Sequence, residues 1–161
     1  MRIALTNLKE YNNGNLIFEW VELPVESFDE VFDRIGRDEY FITDYECDEF
    51  DITIHEYENL EKLNELAEEL DNLKSYESKI VTAILEVEGT DINYALQLFR
   101  DERYFFYEVD SFEEFIDLVI DDGYFGEISN EVRNFLDYDK LEEYFQNNGY
   151  QLTSTGIINT N

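Results

Sequence analysis

Apolar residues alternate at the start of this chain and then settle into helical steps. Ile3, Leu5 and Leu8 as the apolar positions predict a first strand. Asn12-Asn13-Gly14-Asn15 is a turn signal, and Leu16–Val21 reads as a second strand antiparallel to the first. Pro24, the only proline, ends it. Ser27-Phe28-Asp29-Glu30 has the form of a capping box, with Phe28, Val31, Phe32 and Ile35 as the buried helix face and Gly36 as its stop. A third strand is expected around 39–46, with Tyr40, Ile42 and Asp44 on one face.

The middle of the chain repeats its leucines at three- and four-residue steps. Leu60, Leu63, Leu66, Leu70 and Leu73 form an apolar stripe, with Glu58, Glu61, Glu65, Glu68 and Glu69 largely outside it. Further helices are expected over 76–87 and from Thr90-Asp91 to about Phe99, punctuated by Gly89. Tyr104-Phe105-Phe106-Tyr107 is strand-prone. Asp110 or Ser111 caps the next helix, which turns Phe112, Phe115, Ile116 and Val119 inward and Glu113, Glu114, Asp117 and Asp121 outward. Gly123 and Gly126 mark a loop. Short helices near 130–135 and 138–146, a turn at Asn147-Asn148-Gly149 and a final strand over 150–153 complete the pattern. The class is α+β. The chain divides into an N-terminal α+β part (1–58), a central helical part (59–103) and a C-terminal α+β part (104–161).

Charge changes this picture most. Forty Asp and Glu stand against eleven Lys and Arg, a formal net charge of −29 on 161 residues. The three parts carry sixteen acids against four bases, eleven against five, and thirteen against two, so the acidity is no tail on a neutral body. With 43% hydrophobic and 16% aromatic residues, the chain is too apolar to be an acidic disordered segment. Like charges weaken a compact state, so the surplus is expected to serve a partner. Direct binding to nucleic acid or to anionic lipid is not expected, because both need Lys and Arg. The single Cys47 admits no internal disulfide and fits a reducing cytoplasm. The apolar run at Met1–Asn7 is too short for a secretory signal, and no stretch is apolar enough for a membrane span.

The partner that such a charge fits is a protein built to hold polyanions. Duplex DNA carries one charge per roughly 1.7 Å of axis, so 29 charges match about 50 Å of duplex. Acids three or four positions apart on a helix lie about 5–6 Å apart at Cβ. The residues expected to stand where phosphates would are Glu26, Asp29 and Asp33; Glu58, Glu61, Glu65 and Glu68; Asp110, Glu113, Glu114, Asp117, Asp121 and Asp122; and Glu127 and Glu131. Tyr124 and Phe125, on the glycine-flanked loop, are candidates either for a contact between two copies or for the core of their own part. Two blander accounts compete: solvated helix faces, and adaptation to high salt. A general acidic module for some other basic DNA-binding protein is the alternative function.

Enzyme chemistry finds little support. His55 is the one histidine, and no Gly-x-Ser-x-Gly elbow occurs. Glu46, Asp48 and Glu49 around Cys47 would raise its thiol pKa and make it less reactive. Asp44-x-Glu46-x-Asp48 has the opening spacing of a calcium loop, but Glu49 stands at its glycine position and His55 at its bidentate glutamate. Glu77-x-Lys79 is a three-residue pattern of the kind found by chance in so charged a chain. Carboxylate pairs are plentiful, yet none is singled out. No catalytic residue, cofactor or metal is expected.

Asn7-Leu8-Lys9-Glu10-Tyr11-Asn12-Asn13-Gly14, with Trp20 at the matching distance, resembles the opening of the ArdA antirestriction proteins. Phe41-Ile42-Thr43-Asp44-Tyr45-Glu46, then Glu56-Tyr57 with Leu63-Asn64, resemble its next two blocks. Gly126-Glu127-Ile128 and Asn134-Phe135-Leu136-Asp137-Tyr138 resemble a later pair, with Ser129 where the family commonly has Pro. The blocks keep the family's order and cover roughly 1–70 and 117–145. The resemblance implies an elongated, curved DNA mimic of three small units, usually dimeric. It implies occupation of the DNA-binding groove in the methyltransferase and specificity core of type I restriction–modification enzymes. It also places the family's antirestriction motif on Asp121–Ile128 and the residues just after.

Overall fold

In the computed structural model, which describes residues 1–37, 39–89 and 91–160, the alternating residues at the start of the chain build a sheet. Strand β1 (Arg2–Asn7) lies between β2 (Phe18–Glu22) and β3 (Tyr40–Glu46), antiparallel to both. As the central strand it is covered on both sides, and Ile3 through Asn7 are all buried. Leu8, expected on this strand, instead opens the short helix α1 (Leu8–Asn12). Asn7 is the cause. Its Oδ1 accepts from the Glu10 backbone N–H at 2.9 Å and so caps a helix, while its Nδ2 donates to the Ile35 carbonyl at 2.9 Å.

Helix α2 (Asp29–Ile35) starts one or two residues later than a box on Ser27 requires. Phe28 occupies the N-cap without a side-chain bond, and the Ser27 hydroxyl accepts from the Asp29 N–H at 3.1 Å. The expected Ser27–Glu30 reciprocity is therefore absent, and Glu30 lies 3.9 Å from Arg34 instead. Val31 and Ile35 are buried, while Phe28 and Phe32 are half-buried. Gly36 ends the helix at φ 99°, where a Cβ would meet Asn7 Nδ2 at 2.7 Å. In β3 the register steps from Ala4↔Asp44 to Leu5↔Ile42. This bulge at Thr43 breaks the alternation between Ile42 and Asp44, so Asp44 does not share the face of Ile42; Phe41 and Ile42 are buried and Tyr40 and Asp44 exposed. Phe50, Ile52 and Ile54 are buried in the following irregular segment, and Ile42 N–H donates to Glu56 at 2.8 Å. Helix α3 (Leu60–Asp71), capped by Asn59, buries Leu60, Leu63, Leu66, Ala67 and Leu70 as its leucine steps predict.

These elements form one unit, Met1–Leu73; the second is Lys74–Asn161. Of the helices read as a middle part, α3 belongs to the first unit, and α4 (Ser75–Glu88) and α5 (Ile92–Arg100) to the second. The Asp91 side chain caps α5, while Thr90, read with it as the helix start, lies outside the described residues. The second sheet has the order β4-β6-β5, from β4 (Phe105–Tyr107), β6 (Ile157–Asn159) and β5 (Gln151–Leu152), all antiparallel. The strand expected last, over 150–153, is thus followed by another, and that later strand is the central one. Helix α6 (Phe112–Asp121) and α8 (Tyr138–Asn147) cover the core, with α7 (Asn130–Arg133) between them in sequence. Phe112, Phe115, Ile116, Val119, Phe145 and Ile157 form that core. The class is α+β, with eight helices and two three-stranded antiparallel sheets among the described residues. No described helix is long and apolar enough to cross a membrane.

Gly156 sits where β6 enters the sheet. A Cβ there would collide with the Tyr107 carbonyl and lie 2.8 Å from two ring carbons of Phe106. Gly156→Ala is expected to destabilise the protein by about 1–3 kcal/mol, since overpacking at a backbone contact has no flexible neighbour to give way. Denaturant unfolding checks this; an unchanged midpoint would contradict the packing.

Candidate functional site

The few bases are largely committed, which fixes how much of the acidic surface remains available. Arg34 on α2 grips Glu19 of β2 with two bonds, Nε–Oε2 at 2.7 Å and Nη2–Oε1 at 2.6 Å. Arg37 spans Asp29 at 2.8 Å and Asp33 at 2.7 Å. Arg2 reaches Glu46 at 2.6 Å and stacks 4.7 Å over the Trp20 ring. Lys79 pairs with Glu108, and Lys140 with Asp137 at 2.7 Å. Arg133 Nη2 reaches Asp121 at 2.8 Å and the Asp117 carbonyl at 3.1 Å. The Arg34 bond holds the Glu19 carboxyl below its ordinary pKa. Arg37, then Ser27, do the same for Asp29, and Lys140 for Asp137. Glu131 is lowered by its own backbone N–H and then by the Ser129 hydroxyl. Exposed pairs of this kind add little to stability, because solvent screens them and holding two long side chains together costs entropy. Even if every base took one acid, 29 carboxylates would have no basic partner.

The acids singled out in the sequence separate into free and engaged groups. Glu61, Glu65 and Glu68 lie exposed at three- and four-residue steps on α3, and Glu26 is exposed before α2. None of these four carboxylates makes a bond among the described residues. Glu58 is half-buried ahead of α3. Asp29 and Asp33 are the pair held by Arg37. Around α6, Asp110 before it, Glu113 on it, Asp122 after it and Glu127 in the following loop are exposed, and their carboxylates are unbonded among the described residues. Glu114 turns back to accept from the Asp110 N–H at 3.0 Å, completing a cap with Ser111. Asp117 is half-buried and accepts from the Tyr138 hydroxyl at 2.6 Å, which raises the Tyr138 pKa. Asp121 is held by Arg133, and Glu131 is exposed in the first turn of α7.

More exposed acids exist than the sequence rows contained. Asp48, Glu49 and Asp51 crowd the segment after β3, and Asp139 and Glu143 lie one helical turn apart on α8. The i,i+4 spacing of the last two was a signal in the sequence. No group of three or more His, Cys, Asp or Glu among the described residues is placed to hold a metal ion. His55 is exposed and Cys47 is a free, half-buried thiol.

Tyr124 and Phe125 are packed on one side and open on the other. Their rings lie 5.5 Å and 6.0 Å from the buried Phe145, yet they are 53% and 40% exposed. A hydrogen bond with Tyr144, and then partial burial, push the Tyr124 pKa up to about 12. The same stretch of chain exposes Val132 and Phe135, the latter by 87%.

A family model described as antirestriction protein (ArdA) matches residues 3–159, a span that includes both units and the central stretch the motif blocks left uncovered. No curated protein matches the chain.

Proposed function

The chain belongs to the ArdA antirestriction protein family, and from that premise we propose that it is a DNA mimic occupying the DNA-binding groove of type I restriction–modification enzymes. It acts in the cytoplasm as an inhibitor and carries out no chemistry itself. The observation that carries this reading is the row of exposed carboxylates Glu61, Glu65 and Glu68 at helical spacing on α3, unbonded among the described residues. A groove that binds DNA offers Arg and Lys to phosphates about one charge per 1.7 Å of axis. Carboxylates about 5–6 Å apart along a helix meet the same side chains. The three parts 1–58, 59–103 and 104–161 each contribute acids along that groove. The protein works as a homodimer in which Tyr124 and Phe125 meet the second copy, and incoming DNA escapes restriction because the enzyme is already filled.

Competition tests this. A type I methyltransferase core on labelled cognate duplex is titrated with the protein at two salt concentrations. Displacement near stoichiometric protein, weakening as salt rises, is the expected result, because contacts between exposed charges are screened beyond about 10 Å at 0.1 M salt. No displacement where unlabelled DNA competes well would remove the type I enzyme as target and leave another basic DNA-binding protein as the partner.

A further inference from the structure

We propose that a groove in the first unit is an anchoring pocket for one arginine side chain of the protein partner. The groove, of about 540 Å³, is lined by the loop before α2, by α2, by the start of β3 and by the first turns of α3. Its apolar lining is Val25, Phe28, Phe32, Tyr40 and Leu60. The rings of Phe32 and Tyr40 are 5.0 Å apart, and Phe28 follows at 6.2 Å from Phe32. Its acidic lining includes Glu26, Glu61 and Glu65, whose carboxylates are bonded to nothing among the described residues.

The pocket is built before any partner arrives. Asn64, on the α3 side, accepts from the Val25 N–H at 2.7 Å and donates to the Val25 carbonyl at 3.0 Å. These two bonds clamp the loop that carries Glu26 onto α3 and keep the groove open. Preorganisation of this kind lowers the cost of ordering on binding.

Charge complementarity and ring geometry name the occupant. Three uncompensated carboxylates around an aromatic lining attract a cation and offer it a flat apolar surface. A guanidinium is planar, weakly hydrated and able to stack on a ring while its edge donates to carboxylates. A lysine ammonium has no plane to stack and holds its water more tightly. Phosphates of a duplex have no counterpart to this groove, so the contact adds shape to an interface that is otherwise charge alone. The inference rests on the reading that the partner presents arginines from a DNA-binding surface.

Two measurements test it separately from that reading. First, arginine amide and lysine amide are titrated into the isotope-labelled full-length protein and followed by NMR. Shifts confined to the groove, stronger for arginine amide and lost in Glu61→Gln/Glu65→Gln, are expected. Equal shifts for both amides, or shifts spread over the whole acidic surface, would overturn the pocket. Second, Phe28→Ala, which leaves every charge in place, is compared with wild type in the methyltransferase competition. About a tenfold loss of affinity with an unchanged salt dependence is expected, after a thermal melt shows the variant folded. A folded variant that competes like wild type overturns the anchoring role and leaves mimicry standing. If wild type itself fails to displace DNA while arginine amide still binds the groove, the type I enzyme falls as target and the pocket is supported.

Discussion

A protein carrying Asp110→Asn, Glu113→Gln, Asp122→Asn and Glu127→Gln together is expected to lose about thirtyfold in its competition with DNA, whereas each change alone costs about twofold. These four acids are exposed and their carboxylates are unbonded among the described residues, so neutralising them removes charge without breaking an internal contact. An exposed charge pair is worth roughly 0.2–1 kcal/mol. Four at about 0.5 kcal/mol sum to about 2 kcal/mol, and each 1.4 kcal/mol is a factor of ten. The dependence of affinity on salt should flatten in step, because fewer charges are neutralised on binding. Fold stability should change little, since none of the four carboxylates makes a bond among the described residues. Asp117 and Asp121 make the contrasting pair. Neutralising them removes partners of Tyr138 and Arg133, so they are expected to lower stability as well as binding. One neutralisation that by itself abolished inhibition would contradict a distributed surface and indicate a local hot spot.

The division into free and engaged acids was not legible in the sequence, and the reason is physical. Helical spacing is local, so the outward placement of Glu61, Glu65, Glu68 and Glu113 followed from the leucines and phenylalanines between them. Ion pairing is not local: Arg133 reaches back sixteen positions to the Asp117 carbonyl. Nothing in a helical wheel announces that contact. The same distinction explains the errors in the fold. The inward faces of α3 and α6 were readable because each depends on its own periodicity. Asn7 starts α1 by a local bond from the Glu10 N–H, but what fixes Asn7 in place is its second bond, to the Ile35 carbonyl twenty-eight residues away. The bulge at Thr43 is a property of pairing with β1, and it inverts the alternation that the β3 sequence alone suggests. Strand β6 is three residues long and offers too few positions to show a period, yet its two neighbours in the sheet make it central. In the candidate site, the α3 row was visible from spacing. The groove beside it was not, because Asn64 and Val25 are thirty-nine residues apart.

Phe115→Ala should be the most damaging single substitution, because the charged surface leaves the core to supply stability. Phe115 is fully buried and its ring lies 4.9 Å from Tyr107, 4.8 Å from Phe145 and 5.1 Å from Tyr150. Removing a buried phenylalanine costs about 3–5 kcal/mol through lost burial and the cavity left behind. Whole domains hold only about 5–15 kcal/mol, and here the surface works against folding, with 29 more acids than bases. For a unit of this size each kcal/mol is about 4–8 °C, so the melting temperature of the second unit should fall by at least about 12 °C. Added salt should recover part of the loss by screening the acids, as it should also stabilise wild type. Thermal melts of both proteins at low and high salt check this. A shift of only two or three degrees would mean that the aromatic cluster is not what holds the α6 acids in place. A wild type unaffected by salt would mean that repulsion is not what the core opposes. The expected result ties the two halves of the chemistry together: aromatic packing around Phe115 holds α6, with the exposed carboxylate of Glu113 on it, against the repulsion of the acidic surface.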